Sequence, residues 1–139
     1  MATIDDCTLQ DIRRVRDRRG TLAFIEGGID LGFEIKRIYY TYDVPSQSTR
    51  AGHAHRALRQ MYIAVSGAFD VVLDDGRKRR TVTLNRPDVG LNLVPGIWRE
   101  IVNFSTNAVL LVLASEHYDE ADYIRRYADF KVAVKDGTL

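Results

Sequence analysis

The chain has 139 residues, of which 45% are apolar and 28% charged, and this is typical of one ordinary soluble globular domain over residues 1–139. The formal net charge is +1, so no overall field favours binding to nucleic acid or a membrane surface. No apolar run approaches the ~20 residues that span a bilayer. The lone cysteine, Cys7, has no partner for an internal disulfide, and the first residues lack a signal-peptide pattern, so we expect a cytoplasmic protein.

The first third of the chain predicts three strands. Residues 8–16 carry scattered apolar side chains and are interpreted as an edge strand, and residues 21–26 form a second strand that Gly27-Gly28 ends. Residues 33–42 are rich in β-branched and aromatic side chains, which favours a central strand. Residues 45–52 are predicted to form a loop.

The middle of the chain repeats short strand-like segments that are joined by Gly, Pro and Asn. Asp74-Asp75-Gly76 is a strong hairpin signal between two apolar runs. Short strands at close spacing indicate an all-β fold, either an antiparallel sandwich or a barrel. The predicted strands span residues 61–66, 68–73, 79–84, 90–94, 97–104 and 108–115.

The period changes only near the end of the chain. Tyr123, Tyr127 and Phe130 fall at helical spacing, which predicts a C-terminal amphipathic helix over residues 119–134 on the outside of the sheets. We interpret these aromatic side chains as packing residues rather than as a cofactor site.

Two of the three histidines stand one residue apart in Arg50-Ala-Gly-His-Ala-His-Arg56. Side chains at i and i+2 leave the same face of a strand, so His53 and His55 would point together into whatever the sheets enclose. Two imidazoles at one cavity can bind a metal ion or move protons, and a satisfied core pair is the alternative without function.

This pattern resembles the cupin superfamily, whose fold is a small double-sheet jelly roll. In metal-binding cupins a Glu ligand follows the histidine pair, and a further His follows a later Pro-Gly turn. Here Arg59 or Gln60 occupies the Glu position, and Trp98 or Arg99 occupies the His position. A first-row ion takes three or four ligands, and a fixed cation repels it, so we expect neither metal nor cofactor.

The residues whose strands should share the interior combine a group that titrates near neutral pH, fixed cations and a phenol. That combination suits abstraction of a proton next to a carbonyl, with the negative charge of the enediolate held by cations and hydrogen-bond donors. These residues are Arg37, Tyr39, His53, His55, Gln60 and Arg99.

A closer resemblance covers residues 10–131. It is to the sugar-nucleotide 3,4-ketoisomerases, which move the carbonyl of thymidine-diphosphate-linked (TDP) 4-keto-6-deoxyglucose from C4 to C3, ahead of an aminotransferase that makes a 3-amino sugar. The segments that carry it are Phe33-Glu-Ile-Lys-Arg-Ile-Tyr-Tyr40, Gly52-His-Ala-His55, Gln60, Asp88-Val-Gly-Leu91, Pro95-Gly-Ile-Trp98, Leu111-Val-Leu-Ala-Ser115 and Tyr118-Asp-Glu-Ala-Asp-Tyr-Ile-Arg125.

The resemblance implies that His53 removes the C3 proton and that His55 orients it or shuttles a proton between the two sugar oxygens. Tyr39 would act with this pair as a third catalytic group. The substrate-binding residues implied are Arg19 at the cavity mouth, Arg37, Gln60, Trp98 and Arg99. Arg50 is a further expected contact, because it and Arg56 flank the histidine motif and could meet the diphosphate.

The configuration at C4 of the product is left open by two positions. Family members that give the glucose configuration have Tyr at the position of Arg19 and Arg at that of Arg99, whereas galactose-type members have Arg and His. This chain has Arg at both, and we favour the galactose product. The resemblance also implies a homodimer with exchanged N-terminal strands.

Three other functions fit parts of the pattern. A metal-free cupin epimerase would use a histidine base but leave the carbonyl at C4. A metal-dependent cupin oxygenase would hold iron, and a non-catalytic sugar-binding cupin would bind ligand without exchange of the C3 proton.

Overall fold

The computed structural model describes all 139 residues, and most of them lie in antiparallel strands. Two short 3-10 turns, at Ile4–Asp6 and Glu120–Asp122, and one α-helix complete the structure. The elements are β1 (Leu9–Asp11), β2 (Arg13–Asp17), β3 (Gly20–Phe24), β4 (Arg37–Thr41), β5 (Arg50–His55), β6 (Gln60–Ser66), β7 (Phe69–Asp74), β8 (Arg79–Leu84), β9 (Val89–Leu93), β10 (Trp98–Val102), β11 (Val109–Ala114), β12 (Tyr123–Ile124) and α1 (Tyr127–Asp136).

Two five-stranded sheets enclose the core. The first has the order β1-β9-β6-β11-β4 and the second the order β12-β5-β10-β7-β8. The largest buried cluster contains 17 side chains and draws on both sheets, with Tyr62 and Val112 from the first and Phe69 and Leu84 from the second. Alternate residues of β7 and β11 face this cluster, as the period of a strand requires. The predicted all-β double-sheet jelly roll is confirmed.

The predicted hairpin between β7 and β8 is also present. Phe69 pairs with Leu84 at one end of the ladder, and Asp74 pairs with Arg79 at the turn. Gly76 has a φ of 88°, a conformation that glycine adopts without strain, and the Asp75 side chain accepts hydrogen bonds from the next backbone N–H groups. The Asp-Gly signal therefore specified this turn correctly.

Two strand predictions near the cavity were wrong in position. The segment at residues 33–42 becomes a strand only from Arg37, and β4 lies at the edge of its sheet rather than in the centre. Its outward side chains, Ile38 and Tyr40, are exposed. β-Branched and aromatic residues indicate that a segment fits a half-buried pleated surface, but they do not indicate where in a sheet the strand lies. Residues 50–52, predicted as loop, form the start of β5.

The N-terminal segment does not form the single edge strand that we predicted for residues 8–16. β1 joins the first sheet beside β9, whereas β2 leaves it and pairs only with β3. This β2–β3 hairpin exposes two large apolar side chains, Val15 at 58% and Leu22 at 61% of their surface.

The C-terminal helix is shorter than predicted. It begins at Tyr127, and the residues before it form a 3-10 turn capped by the Asp119 side chain and then the short strand β12. The prediction of a helix from residue 119 was wrong there because β12 pairs with β5 and this tertiary contact outweighs the helical spacing. Phe130 packs on Trp98 outside the second sheet, as expected. No helix of the structure has the length and hydropathy to cross a membrane.

Candidate active site

A cavity of about 430 Å³ opens beside the histidine motif, a volume typical of small-ligand sites. β4 supplies an arginine and a phenol to its wall, β5 supplies an arginine and a histidine, and the segment around β12 supplies an aromatic ring and another arginine. The polar and aromatic side chains that line it include Arg37, Tyr39, Arg50, His53, Tyr123 and Arg125.

The two histidine rings contact each other but line different cavities. Their centroids lie 4.7 Å apart, edge to face. His53 lines the large cavity, whereas His55 is fully buried and borders a second cavity of about 340 Å³. The two side chains lie together on one face of β5, as predicted, but only His53 lines the first cavity. A register shift between Arg99 and Glu100 lies opposite this part of β5, and the Tyr123 ring packs against both imidazoles.

Both imidazoles are neutral in this environment. Burial lowers the pKa of His53 to about 2, and the charge of Arg99 acts in the same direction. Burial, Arg99 and Arg37 lower the pKa of His55 to about 2 as well. The Nε2 atom of each ring is buried and has no hydrogen-bond partner. A neutral ring with an unpartnered nitrogen can accept a proton.

Asp122 contacts the second histidine and is a residue that the sequence analysis did not select. Its Oδ2 lies 3.0 Å from His55 Nδ1, and the same carboxylate accepts hydrogen bonds from the backbone N–H groups of Ala57 at 2.7 Å and Leu58 at 3.2 Å. Because Asp122 was placed in a predicted helix, no pattern linked it to the histidines.

Tyr123 and Arg125 are further cavity residues that the sequence analysis did not select. The Tyr123 ring lies 5.0 Å from the His53 ring and 4.4 Å from the His55 ring, between centroids. The Arg125 guanidinium stacks on Tyr123 at 4.1 Å, and Glu120 holds it with two hydrogen bonds. Tyr123 is therefore part of the site wall rather than a helix packing residue.

Arg99 and Gln60 lie beneath the cavity and not in its wall. Arg99 is fully buried, and its Nη1 donates to Gln60 Oε1 at 2.6 Å and to the Tyr62 hydroxyl at 3.2 Å. Since arginine only donates, the Gln60 oxygen is fixed toward it, and the Gln60 amide donates to the Tyr39 hydroxyl at 2.9 Å. The Tyr39 hydroxyl hydrogen is thus left for a ligand, and burial raises its pKa, which keeps the phenol protonated.

Three of the expected contacts lie away from the cavity in this chain. Arg19 is 85% exposed on the β2–β3 hairpin and pairs with Asp17. Trp98 faces the helix, where its Nε1 donates to Glu100. Arg56 reaches the backbone of Thr138 near the C-terminus.

The other expected residues are brought together by the fold. Arg37, Tyr39, Arg50 and His53 line the large cavity, and His55 lies directly behind His53. Across the chain, no group of three or more His, Cys, Asp and Glu side chains is arranged to hold a metal ion. The titratable groups in the cavity wall are arginines, tyrosines and one histidine.

Comparisons with known proteins show the family of the chain. The family described as FdtA: WxcM-like, C-terminal matches residues 5–135. A TDP-4-oxo-6-deoxy-α-D-glucose 3,4-oxoisomerase from Aneurinibacillus thermoaerophilus is 42% identical over 121 residues, which cover 87% of each chain.

Two solved structures are similar over nearly the whole chain. A 3,4-ketoisomerase from Helicobacter canadensis has a TM-score of 0.92 and 44% identity, covering 94% of this chain and 98% of that one. The sugar 3,4-ketoisomerase QdtA from Thermoanaerobacterium thermosaccharolyticum, in complex with TDP, has a TM-score of 0.94 and 39% identity, covering 99% and 100%. A mutant of QdtA has been solved with TDP-4-keto-6-deoxyglucose.

The sequence match, the shared fold and the resemblance noted from the motifs agree, and the chain belongs to the WxcM-like FdtA family, whose relatives here are sugar 3,4-ketoisomerases.

Proposed function

We propose that this chain is an isomerase that converts TDP-4-keto-6-deoxyglucose to a TDP-3-keto-6-deoxyhexose, as an early step toward a 3-amino-3,6-dideoxy sugar. The observation that carries the proposal is the neutral His53, which lines a cavity rich in arginines and tyrosines and whose buried Nε2 has no hydrogen-bond partner. The substrate is the one named for the relatives.

The chemistry follows from these groups. His53 Nε2 takes the proton from C3, and the electron pair of that C–H bond forms the C3–C4 double bond while charge moves onto the oxygen at C4. Tyr39 stabilises this oxygen by a hydrogen bond and Arg37 by its charge. Both interactions become stronger as negative charge forms on the enediolate oxygen. The C3 hydroxyl then loses its proton, the C4 oxygen gains one, and C4 is protonated, which leaves the ketone at C3.

Product analysis tests this proposal. With substrate labelled by ¹³C in the sugar, we expect the carbonyl signal to move from C4 to C3. An inverted centre with the carbonyl still at C4 would indicate an epimerase, and binding without any change in the sugar would indicate a non-catalytic module. The C4 configuration, for which we favour galacto, is read from the coupling constants of the same product.

Arg125 and Arg50 are the groups we assign to the diphosphate, because they line the cavity and carry fixed charge. Glu120 holds Arg125 from one side, so the guanidinium is positioned before substrate binds. We assign the exposed Arg19, by contrast, to the mouth of a partner's cavity.

Arg125→Ala is expected to raise KM about 10- to 100-fold, since a hydrogen bond to a charged group contributes about 1.5–3 kcal/mol. The measurement is initial rate against substrate concentration. The matched control is Arg126→Ala, because the next arginine makes no side-chain cap hydrogen bond and does not line the cavity. An unchanged KM in the Arg125 variant would remove it from the binding site.

We also propose that the protein is a homodimer in which the β2–β3 hairpins are exchanged. The support is the shape of this hairpin, which pairs with no other strand of its own chain and exposes Val15 and Leu22. Apolar side chains that are exposed together on a strand pair indicate a covering partner. A cytoplasmic location, expected from the sequence, stays a prediction.

Replacing both Val15 and Leu22 with Asp is expected to convert the dimer to a monomer, because two charges would be buried in the interface. Light scattering after size-exclusion chromatography measures the mass. Ile29→Asp is the control, since Ile29 is even more exposed but lies outside the hairpin. A double variant that stays dimeric would contradict the exchange.

A further inference from the structure

The Asp122 carboxylate is held in place by three hydrogen-bond donors from outside its own turn. Its Oδ1 accepts from the Ala57 N–H at 2.7 Å, and its Oδ2 accepts from the Leu58 N–H at 3.2 Å and faces His55 Nδ1 at 3.0 Å. Two fixed backbone bonds leave the carboxylate little freedom to turn away from the imidazole. The 3-10 turn that carries Asp122 is thereby attached to the end of β5.

This contact determines which nitrogen of His55 carries the hydrogen. An ionised carboxylate has no hydrogen to donate, so His55 Nδ1 is the donor. The other nitrogen, Nε2, is buried without a partner. A hydrogen on Nε2 would be a buried donor with no acceptor. A buried N–H without an acceptor is less favourable than a buried bare nitrogen without a donor. Both observations give the same tautomer, with hydrogen on Nδ1 and a bare Nε2.

We infer that Asp122 is a positioning residue for the isomerisation, which acts by fixing His55 as the Nδ1–H tautomer behind the catalytic base. Asp122 does not line the large cavity, so it acts through His55 and not on the sugar. The inference rests on the proposed function, because it gives this tautomer a part in that reaction.

The role follows from the charge that the reaction creates. When His53 takes the C3 proton, a cation forms at a ring whose centroid is 4.7 Å from that of His55 and close to the buried charge of Arg99. A neutral His55 adds no second positive charge there, and Asp122 supplies a negative charge one ring away. With the opposite tautomer or a rotated ring, His55 would no longer be held by Asp122, and the stabilisation of the new cation would be lost.

The test begins with the unmodified protein labelled with ¹⁵N in its histidines, of which there are three. Long-range ¹H–¹⁵N correlation spectra at pH 7 report the tautomer of each ring, and a His55→Asn variant identifies the His55 signals. We expect a neutral His55 with hydrogen on Nδ1. An Nε2–H tautomer or a charged imidazolium would overturn the inference, whatever the variants do.

Asp122→Asn tests the effect on catalysis. The amide has one accepting oxygen and cannot accept from all three donors, and where its NH₂ group faces Nδ1 the hydrogen of His55 is forced to Nε2. We expect kcat to fall on the order of a hundredfold, with KM within about threefold, by analogy with other wrong-tautomer variants. The control is Asp119→Asn, which removes a charge from the same second cavity without touching His55.

The outcomes separate this inference from the proposed function. A flipped tautomer with unchanged kcat would show that Asp122 is only structural. If Asp122→Asn does not fold, the ¹H–¹⁵N spectrum of the unmodified protein tests the inference, because an Nε2–H or charged His55 would overturn it. Absence of any turnover by the unmodified protein would overturn the proposed function and, with it, the catalytic role of Asp122, while the spectrum would still decide the tautomer.

Discussion

His53→Asn is expected to lower kcat by about 10³-fold or more while the protein stays folded. Asparagine has no nitrogen that accepts a proton at neutral pH, and general-base catalysis contributes about 10²- to 10⁴-fold. Substrate affinity should change little, because Arg37, Arg50 and Arg125 remain in the cavity wall. Conversion is followed by NMR at saturating substrate, and the Kd of the variant is measured separately.

The control for this variant is His117→Asn. His117 is the third histidine and borders the second cavity without lining the first. Its replacement should leave kcat within about twofold of the unmodified protein, by the usual tolerance of exposed positions. Full activity in His53→Asn would show that another group takes the C3 proton, and the assignment of the base would be wrong.

The protein is expected to lose about 4 kcal/mol of unfolding free energy between pH 7.5 and pH 5.0, about 2 kcal/mol for each buried histidine. The pKa of both rings is lowered from 6.5 to about 2 in the folded chain, mainly by burial. Below pH 6.5 the unfolded chain binds protons at these rings and the folded chain does not. Unfolding therefore takes up protons, and stability falls as the pH falls.

Urea unfolding at a fixed protein concentration, followed by the fluorescence of Trp98, measures this dependence. The window stops at pH 5.0 because carboxylates such as Glu120, whose pKa is lowered to about 2 by Arg125, add their own loss below it. His53→Asn should keep about half of the slope, since one of the two rings remains. A change of less than about 1 kcal/mol in the unmodified protein would contradict the neutral pair.

Many strands of the fold were predictable because they have a local signal in the sequence. The Asp74-Asp75-Gly76 turn and the alternation in β8 depend on neighbouring residues only, and both are in place. The position of a strand within a sheet depends on which strands pair, and this is why β4 was wrongly placed in the centre. The same applies to β2, which was predicted as part of one edge strand with β1.

The candidate site could be predicted in part because several of its residues lie in two short segments, one on β4 and one on β5. His53, Arg37, Tyr39 and Arg50 were selected from the sequence and line one cavity. Asp122, by contrast, reaches His55 across 67 positions of sequence, and no local pattern connects two residues at that separation.

The surroundings of Tyr123 explain a second omission. Its spacing from Tyr127 and Phe130 fits a helix, and only the pairing of β12 with β5 turns its ring onto the histidines. Arg99 shows the opposite error, because its position beside Trp98 suggested contact with substrate. Its burial and its bonds to Gln60 and Tyr62 place it beneath the cavity, where its charge adds to the effect of burial in lowering the pKa of both histidines.

The most direct measurement is isomerisation in deuterated water by protein that has been treated with a chelator and analysed for bound metal. The account predicts a TDP-3-keto-6-deoxyhexose with deuterium at C4, formed at the same rate before and after treatment. Loss of activity on chelation that iron or zinc restores would contradict it, and so would a product that keeps its carbonyl at C4.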